Sequence, residues 1–313
     1  MGGKKTEIIN FETADKKKIS IPVATIVGDS PGPDAVITAG IHGREYGGIL
    51  SAIQLLQQLT PSDINGSVKI ITVCDTAASE WHSGKESPID GLNLNRCFPG
   101  RQGGSYSVEL AARIFDEIKG ADYHMDIHSG LYLESCIPFS TYHRGRSGAL
   151  NDRSHEIAYY YGLPNIVITE SEGRWPDKGT CYAAAYENIG IPSALMLTGS
   201  FGVSGKEDIQ RHIKGIKNVL RHFGSLKGDA APVGRPLIHE NMEWLYTKNG
   251  GIYHRMVNVG ERVRRGQLIA LITDYFGAPV EKIVSPINGQ ILILTESSVA
   301  SPKDFAAAIG VTK

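Results

Sequence analysis

At 313 residues, 41% apolar and 21% charged, the chain has the composition of a soluble globular protein with room for one large domain and a small one. A formal net charge of −1 supplies no field that would draw nucleic acid or a membrane surface, and neither is expected as a partner. Cys74, Cys97, Cys136 and Cys181 share no C-x-x-C spacing, so they read as free thiols of a reducing compartment rather than a zinc knuckle.

Taken in order, residues 7–11 and 19–26 predict strands, and Asp29-Ser30-Pro31-Gly32-Pro33 a turn. Residues 35–39 form an apolar run without alternation, as expected of a strand covered on both faces. Ile49, Ile53, Leu56 and Leu59 then recur at helical spacing until Pro61. Strands are predicted at 68–73, 123–127, 137–142, 165–169 and 193–197. Helices are predicted at 108–118, 153–161, 180–188 and 209–223. Such alternation indicates an α/β domain with a mostly parallel mixed sheet, whose ligands sit beyond the carboxyl ends of the strands. From Lys227 onwards the pattern changes to a Gly/Pro linker and short strands with glycine turns. The expected division is an α/β domain over 1–226 and a small all-β domain over 227–313. The first residues lack an apolar signal core, so the expected location is cytoplasmic. Met1-Gly2-Gly3-Lys4-Lys5-Thr6 formally fits a myristoylation template, but so short a match carries little weight.

Three motifs fall where such a sheet would gather them. His42-Gly43-Arg44-Glu45 follows the apolar strand at 35–39. Asn93-Leu94-Asn95-Arg96-Cys97-Phe98-Pro99 lies in a loop, and Asp126-Ile127-His128-Ser129-Gly130 ends the strand at 123–127. Alone, His-x-x-Glu is a weak signal, and a single histidine is more often a satisfied loop or core residue. Together, His42, Glu45 and His128 read as the ligands of one Zn²⁺. Two imidazoles and one carboxylate leave an open position on zinc, which is the catalytic pattern. A metal so held activates water and polarises an amide carbonyl. Arg96 would bind a substrate carboxylate through its planar donor fork, its plainer reading being an ion pair with a surface acid; Asn95 would add a neutral donor there, or simply shape a turn. Arg44 would polarise the scissile carbonyl or stabilise its oxyanion, its plainer reading being a surface side chain. Asp126 would orient a ligand histidine from behind, or is simply a buried strand-end carboxylate.

On these residues the chain resembles the succinylglutamate desuccinylase/aspartoacylase family of the zinc-carboxypeptidase-like superfamily. His42 and Glu45 resemble that family's first two zinc ligands, His128 its third, and Asn95-Arg96 with Phe98-Pro99 its carboxylate-binding motif. The resemblance implies a zinc-dependent amidohydrolase, of deacylase or carboxypeptidase type. Its partner would be a small N-acyl amino acid or short peptide, and a homo-oligomer is compatible with it. The family carries its general-base glutamate on the last strand of the catalytic domain, in a P-x-x-T-x-E-x-G context. Here Pro192-Ser193-Ala194-Leu195-Met196-Leu197-Thr198-Gly199 puts Leu197 in that place. Glu170 and Glu172 are the candidates for a moved base, with Glu134 a third. The alternative is a catalytically silent or weak zinc- or ligand-binding homologue. The tail resembles a biotinyl/lipoyl-like hammerhead or barrel domain, yet no lysine falls at the hairpin tip around 273–279 and Lys282 is displaced from it. The tail is therefore expected to border the active-site mouth or mediate subunit contact, not to carry a cofactor.

Overall fold

The computed structural model describes residues 2–145, 148–170 and 179–311. Its first part contains β1 (Gly3–Glu12), β2 (Lys18–Val27), β3 (Ser30–Ala39), α1 (Tyr46–Gln58), β4 (Asn65–Ile71), α2 (Thr76–Glu80), α3 (Tyr106–Ile118) and β5 (Tyr123–His128). Then follow β6 (Glu134–Cys136), β7 (Phe139–Arg144), α4 (Gly148–Tyr160), β8 (Asn165–Glu170), α5 (Cys181–Ile189), β9 (Ser193–Leu197), α6 (Lys206–His222) and β10 (Leu237–His239). The remainder is β11 (Met242–Tyr246), β12 (Gly251–Arg255), β13 (Arg262–Val263), β14 (Leu268–Thr273), β15 (Pro279–Val284), β16 (Gly289–Thr295), β17 (Val299–Ala300) and β18 (Phe305–Val311).

A nine-stranded mixed sheet in the order β1-β2-β4-β3-β5-β9-β7-β8-β10 organises the α/β part. Residues 35–39 of β3 are all buried, because helices cover both faces. On one face Leu55 of α1, Ile157 of α4 and Ile213 and Ile216 of α6 share a core with Ile37, Met125 and Met196 of the sheet. On the other, Leu110 and Ile114 of α3 and Cys181 and Ala184 of α5 pack with Ile21, Val36 and Ile71. Burying each of these large apolar side chains stabilises by roughly 1.5–3 kcal/mol.

Strand direction decides where the site can form. β3, β5 and β9 run parallel, so Ala39, His128 and Leu197 end at one edge of the sheet. β7 is antiparallel to β9, and β8 follows β7 in parallel. Both therefore deliver their carboxyl ends to the opposite edge. The strand expected at 137–142 is observed as β7 and begins two residues later, after Pro138, which cannot donate to a ladder; β6 precedes the expected range.

The tail forms two antiparallel sheets, β11-β18-β16-β13 and β15-β14-β12-β17. Strand pairing crosses the expected division at 226/227 in both directions. β10 joins the large sheet beside β8, and β6 pairs with β16 of the tail. The tail is thus fixed against the rim of the α/β part. Among the described residues, no helix is long and apolar enough to cross a membrane.

Candidate active site

His42, Glu45 and His128 meet at the carboxyl edge of β3 and β5. The turn after β3 is drawn tightly against α2: a Cβ on Gly43 would lie 2.1 Å from the Ala78 carbonyl oxygen, so only glycine fits between the two ligands. Glu45 occupies the N-cap position of α1 yet makes no capping hydrogen bond. Its carboxylate is turned instead towards the histidines. Oε1 lies 2.7 Å from His42 Nδ1 and Oε2 2.8 Å from His128 Nδ1. All three side chains are buried.

The donor set fits a small divalent cation. Their ligand atoms lie within 4.8 Å of one another. Despite its short distance to His128 Nδ1, Glu45 Oε2 accepts no hydrogen bond, leaving a buried carboxylate oxygen available to a cation. Burial alone would raise the Glu45 pKa, but His128 and His42 outweigh it and hold it at about 2. Burial likewise lowers His128, yet Glu45 and Asp126 together push it up to about 10. Two buried carboxylates around one imidazole therefore demand a positive charge at this point.

The surrounding residues hold this arrangement. Asp126 Oδ2 lies 3.2 Å from His128 Nε2, a charge contact in which neither atom makes a hydrogen bond. Thr38 Oγ1 donates to Asp126 Oδ1 at 2.7 Å and meets His124 Nε2 at 2.9 Å, and His124 Nδ1 meets Ser193 Oγ at 2.7 Å. Asn93 Oδ1 lies 3.2 Å from His42 Nε2; it stands two residues before Asn95, a proximity with no independent mark in the sequence. A second group of buried donor residues, His124, Asp126 and Cys181, has its ring nitrogens and Asp126 Oδ1 engaged in that network. Burial keeps the Cys181 thiol protonated, which makes it a poor ligand.

His42, Glu45 and His128 open into a cavity of about 390 Å³. Asn93, Asn95 and Arg96 line it, as do Lys85 and Glu134, paired at 2.7 Å. Asn95 is buried, its Oδ1 accepting from the Cys181 backbone at 2.9 Å, while Arg96 is exposed and donates Nη1 to the Asn95 carbonyl at 2.6 Å. At Gly179, with φ +86°, a Cβ would lie 2.4 Å from the Arg96 carbonyl oxygen, so this glycine seats the arginine turn. The tail contributes Trp244, Tyr246, Ile293 and Phe305 to the wall, so it borders the cavity.

Two expected site residues stand elsewhere. Arg44 lies on the outer side of the turn, its Nε donating to the His82 carbonyl and its guanidinium 4.7 Å over the Tyr132 ring. His42 and Glu45 use the inner side of that turn, so Arg44 does not line the cavity. Glu170 ends β8 at the opposite edge of the sheet, exposed and ion-paired with Arg144. The reversal of β7 and β8 removes it from the site. Glu172 lies outside the described residues. Of the two candidate carboxylates among the described residues, Glu134 is the one in the cavity wall.

Two buried histidines behind the site are neutral. Burial lowers His124 to about 4 and His212 to about 3 from 6.5; His212 Nε2 lies 3.0 Å from the His128 carbonyl oxygen. The unfolded chain takes up protons at these rings near pH 6.5, where the folded chain does not. Their contribution is therefore complete above pH 6.5 and is lost as pH falls towards 4, on the order of 3 kcal/mol for each. In the metal-free protein His128 acts in the opposite sense, contributing below pH 6.5 and losing that contribution as pH rises towards 10. The urea midpoint is expected to fall between pH 7 and pH 4.5, and to fall less in His212→Gln. Equal losses in both proteins would contradict neutral burial of His212.

A family model, the succinylglutamate desuccinylase/aspartoacylase catalytic domain, matches residues 31–223. The N-alpha-acetyl-L-2,4-diaminobutyric acid deacetylase of Halomonas elongata is 31% identical over 273 residues, covering 84% of this chain and 78% of that protein. A succinylglutamate desuccinylase from Silicibacter sp. TM1040 superposes with a TM-score of 0.85 at 26% identity, over 100% of this chain and 95% of that one. The product-bound ectoine utilization protein EutE (DoeB) from Ruegeria pomeroyi shares the fold, with a TM-score of 0.86 at 24% identity over 99% and 96%. The chain therefore belongs to the succinylglutamate desuccinylase/aspartoacylase family.

Proposed function

We propose that this chain is a zinc-dependent amidohydrolase that removes the acyl group from a small N-acyl amino acid. The observation that carries the reading is the convergence of His42 Nδ1, the Glu45 carboxylate and His128 Nδ1 in a buried, electronegative pocket beside a cavity. Zinc held there would supply Lewis acidity and an activated water. Arg96 binds the substrate carboxylate at the rim, and Asn95 fixes the turn that presents it. Glu134 is the carboxylate assigned to proton transfer, in place of a glutamate at 197. Burial lowers the Lys85 ammonium, but Glu134 beside it outweighs that effect and holds Lys85 above its usual range. The Lys85 ammonium, 2.7 Å from the Glu134 carboxylate, holds it in place in the cavity wall.

On the same reading the α/β part is of zinc-carboxypeptidase type and the tail is its hammerhead-like companion. The four free cysteines favour the cytoplasm. A second reading, a silent zinc-binding homologue, draws on one observation: Leu197 stands in register with His128, where a base would be most useful.

The test is turnover of N-acyl amino acids by metal-stripped protein before and after adding one equivalent of zinc. Zinc-dependent amide hydrolysis is expected. Replacing the substrate carboxylate by a carboxamide should raise KM roughly tenfold or more, the loss of a charge-assisted hydrogen bond. Absence of hydrolysis with zinc bound would leave the silent reading standing.

A further inference from the structure

The cavity has two chemically distinct sides, and only the charged one is absorbed by the reading above. The other side is its floor. β7 and β9 pair antiparallel with Phe139 opposite Leu197 and Thr141 opposite Leu195. Alternate residues of a strand share a face, so these four side chains form one patch, and all four line the cavity. Fully buried Tyr182 of α5 covers its edge. The patch adjoins the metal ligands, because Leu197 is also in register with His128 on β5. None of these five residues is charged.

Beside the Tyr182 hydroxyl, which meets Thr169 Oγ1 at 3.2 Å, one further polar atom interrupts this surface. Thr141 is fully buried, and its Oγ1 has no hydrogen-bond partner. A buried hydroxyl without a partner is destabilising, and a ligand atom seated on the floor would remove that cost. Among the described residues of this floor, a carboxylate or ammonium would meet only neutral hydroxyls and hydrocarbon, and would lose its hydration without a counter-charge.

We propose that this floor is a specificity subsite for an uncharged, mainly apolar substituent of the amide substrate, carrying one hydrogen-bonding atom that pairs with Thr141. The proposal rests on the amidohydrolase reading for its choice of ligands. It sets this chain apart from what the names of its relatives state, since diaminobutyrate brings an ammonium and succinyl a carboxylate.

The test uses zinc-loaded full-length protein and calorimetric binding, with turnover measured alongside. The side chain is varied on N-acetyl amino acids: norleucine, its ether isostere O-methylhomoserine, 2,4-diaminobutyrate and glutamate. The acyl group is varied on glycine in a second series: butyryl, its ether isostere methoxyacetyl, and succinyl. In at least one series, neutral ligands are expected to bind at least tenfold more tightly than charged ones, and the ether about fivefold more tightly than its hydrocarbon isostere. In Thr141→Val the ether's advantage should vanish while the neutral-over-charged preference stays. The melting temperature should hold or rise in that variant, because an unpaired buried hydroxyl has been replaced by an isosteric methyl; Thr141→Ser should retain the ether preference. Equal or tighter binding of the charged ligands in both series overturns the proposal, as does an ether preference that survives Thr141→Val. If the expected binding pattern is found without hydrolysis of any ligand, the subsite stands and the amidohydrolase reading fails.

Discussion

Replacing His128 by alanine is expected to remove most of the bound zinc and to lower kcat/KM by roughly 10³-fold or more, since the metal's contribution to amide cleavage is several kcal/mol. The residue is the third corner of a donor set whose other members, His42 and Glu45, stand on the preceding strand-end turn. Its loss also leaves Glu45 and Asp126 as buried carboxylates without the imidazole between them. Breaking such a group costs about 3–5 kcal/mol, so the melting temperature of the metal-free variant should fall as well. Asp126→Asn gives a graded companion. It keeps the ligand but weakens its support, and zinc affinity should drop about 10–100-fold. Elemental analysis after gel filtration, with a melting curve beside it, reads both effects. Full zinc retention in His128→Ala would contradict the assignment.

Glu134→Gln should lower kcat by roughly 10²–10⁴-fold, the usual contribution of a general base, with zinc content unchanged. The side chain is 14% exposed and held at 2.7 Å by Lys85, so its amide isostere fits the same space. Leu197→Glu separates the remaining possibilities. It places a carboxylate in register with His128, among Phe139, Tyr182 and Leu195. Forcing a charge into that apolar surface costs stability, so melting temperature is measured beside turnover. A loss in Glu134→Gln with no gain in Leu197→Glu supports Glu134 as the proton acceptor. An unchanged Glu134→Gln together with a more active Leu197→Glu would make the native chain a weakened hydrolase.

The convergence of His42, Glu45 and His128 was legible in the sequence because each follows the end of a covered strand. The unalternating run at 35–39 and the strand at 123–127 are neighbours in the sheet, so their following residues had to meet. Asp126 was legible for the same reason. Glu170 was misjudged because alternation of strands and helices reads as a parallel sheet, and nothing local marks β7 and β8 as reversed. β8 stands three places from β5 in sheet order, with β9 and β7 between them, roughly 14 Å at about 4.8 Å per step, and the reversal takes its carboxyl end to the far edge. Arg44 was misplaced because side-chain direction on a tight turn is set by the packing of Gly43 against α2, not by spacing. Lys85, Thr141 and the tail's Trp244 and Phe305 converge from distant segments, and pairing of that kind leaves no periodic trace in a single chain.

The most direct test of the metal assignment is a crystal of zinc-loaded protein measured on both sides of the zinc absorption edge. One anomalous difference peak is predicted, between His42 Nδ1, the Glu45 carboxylate and His128 Nδ1, with its open side facing the cavity that Glu134 lines. A peak at His124, Asp126 and Cys181 instead, or no peak within reach of Glu45, would contradict the account.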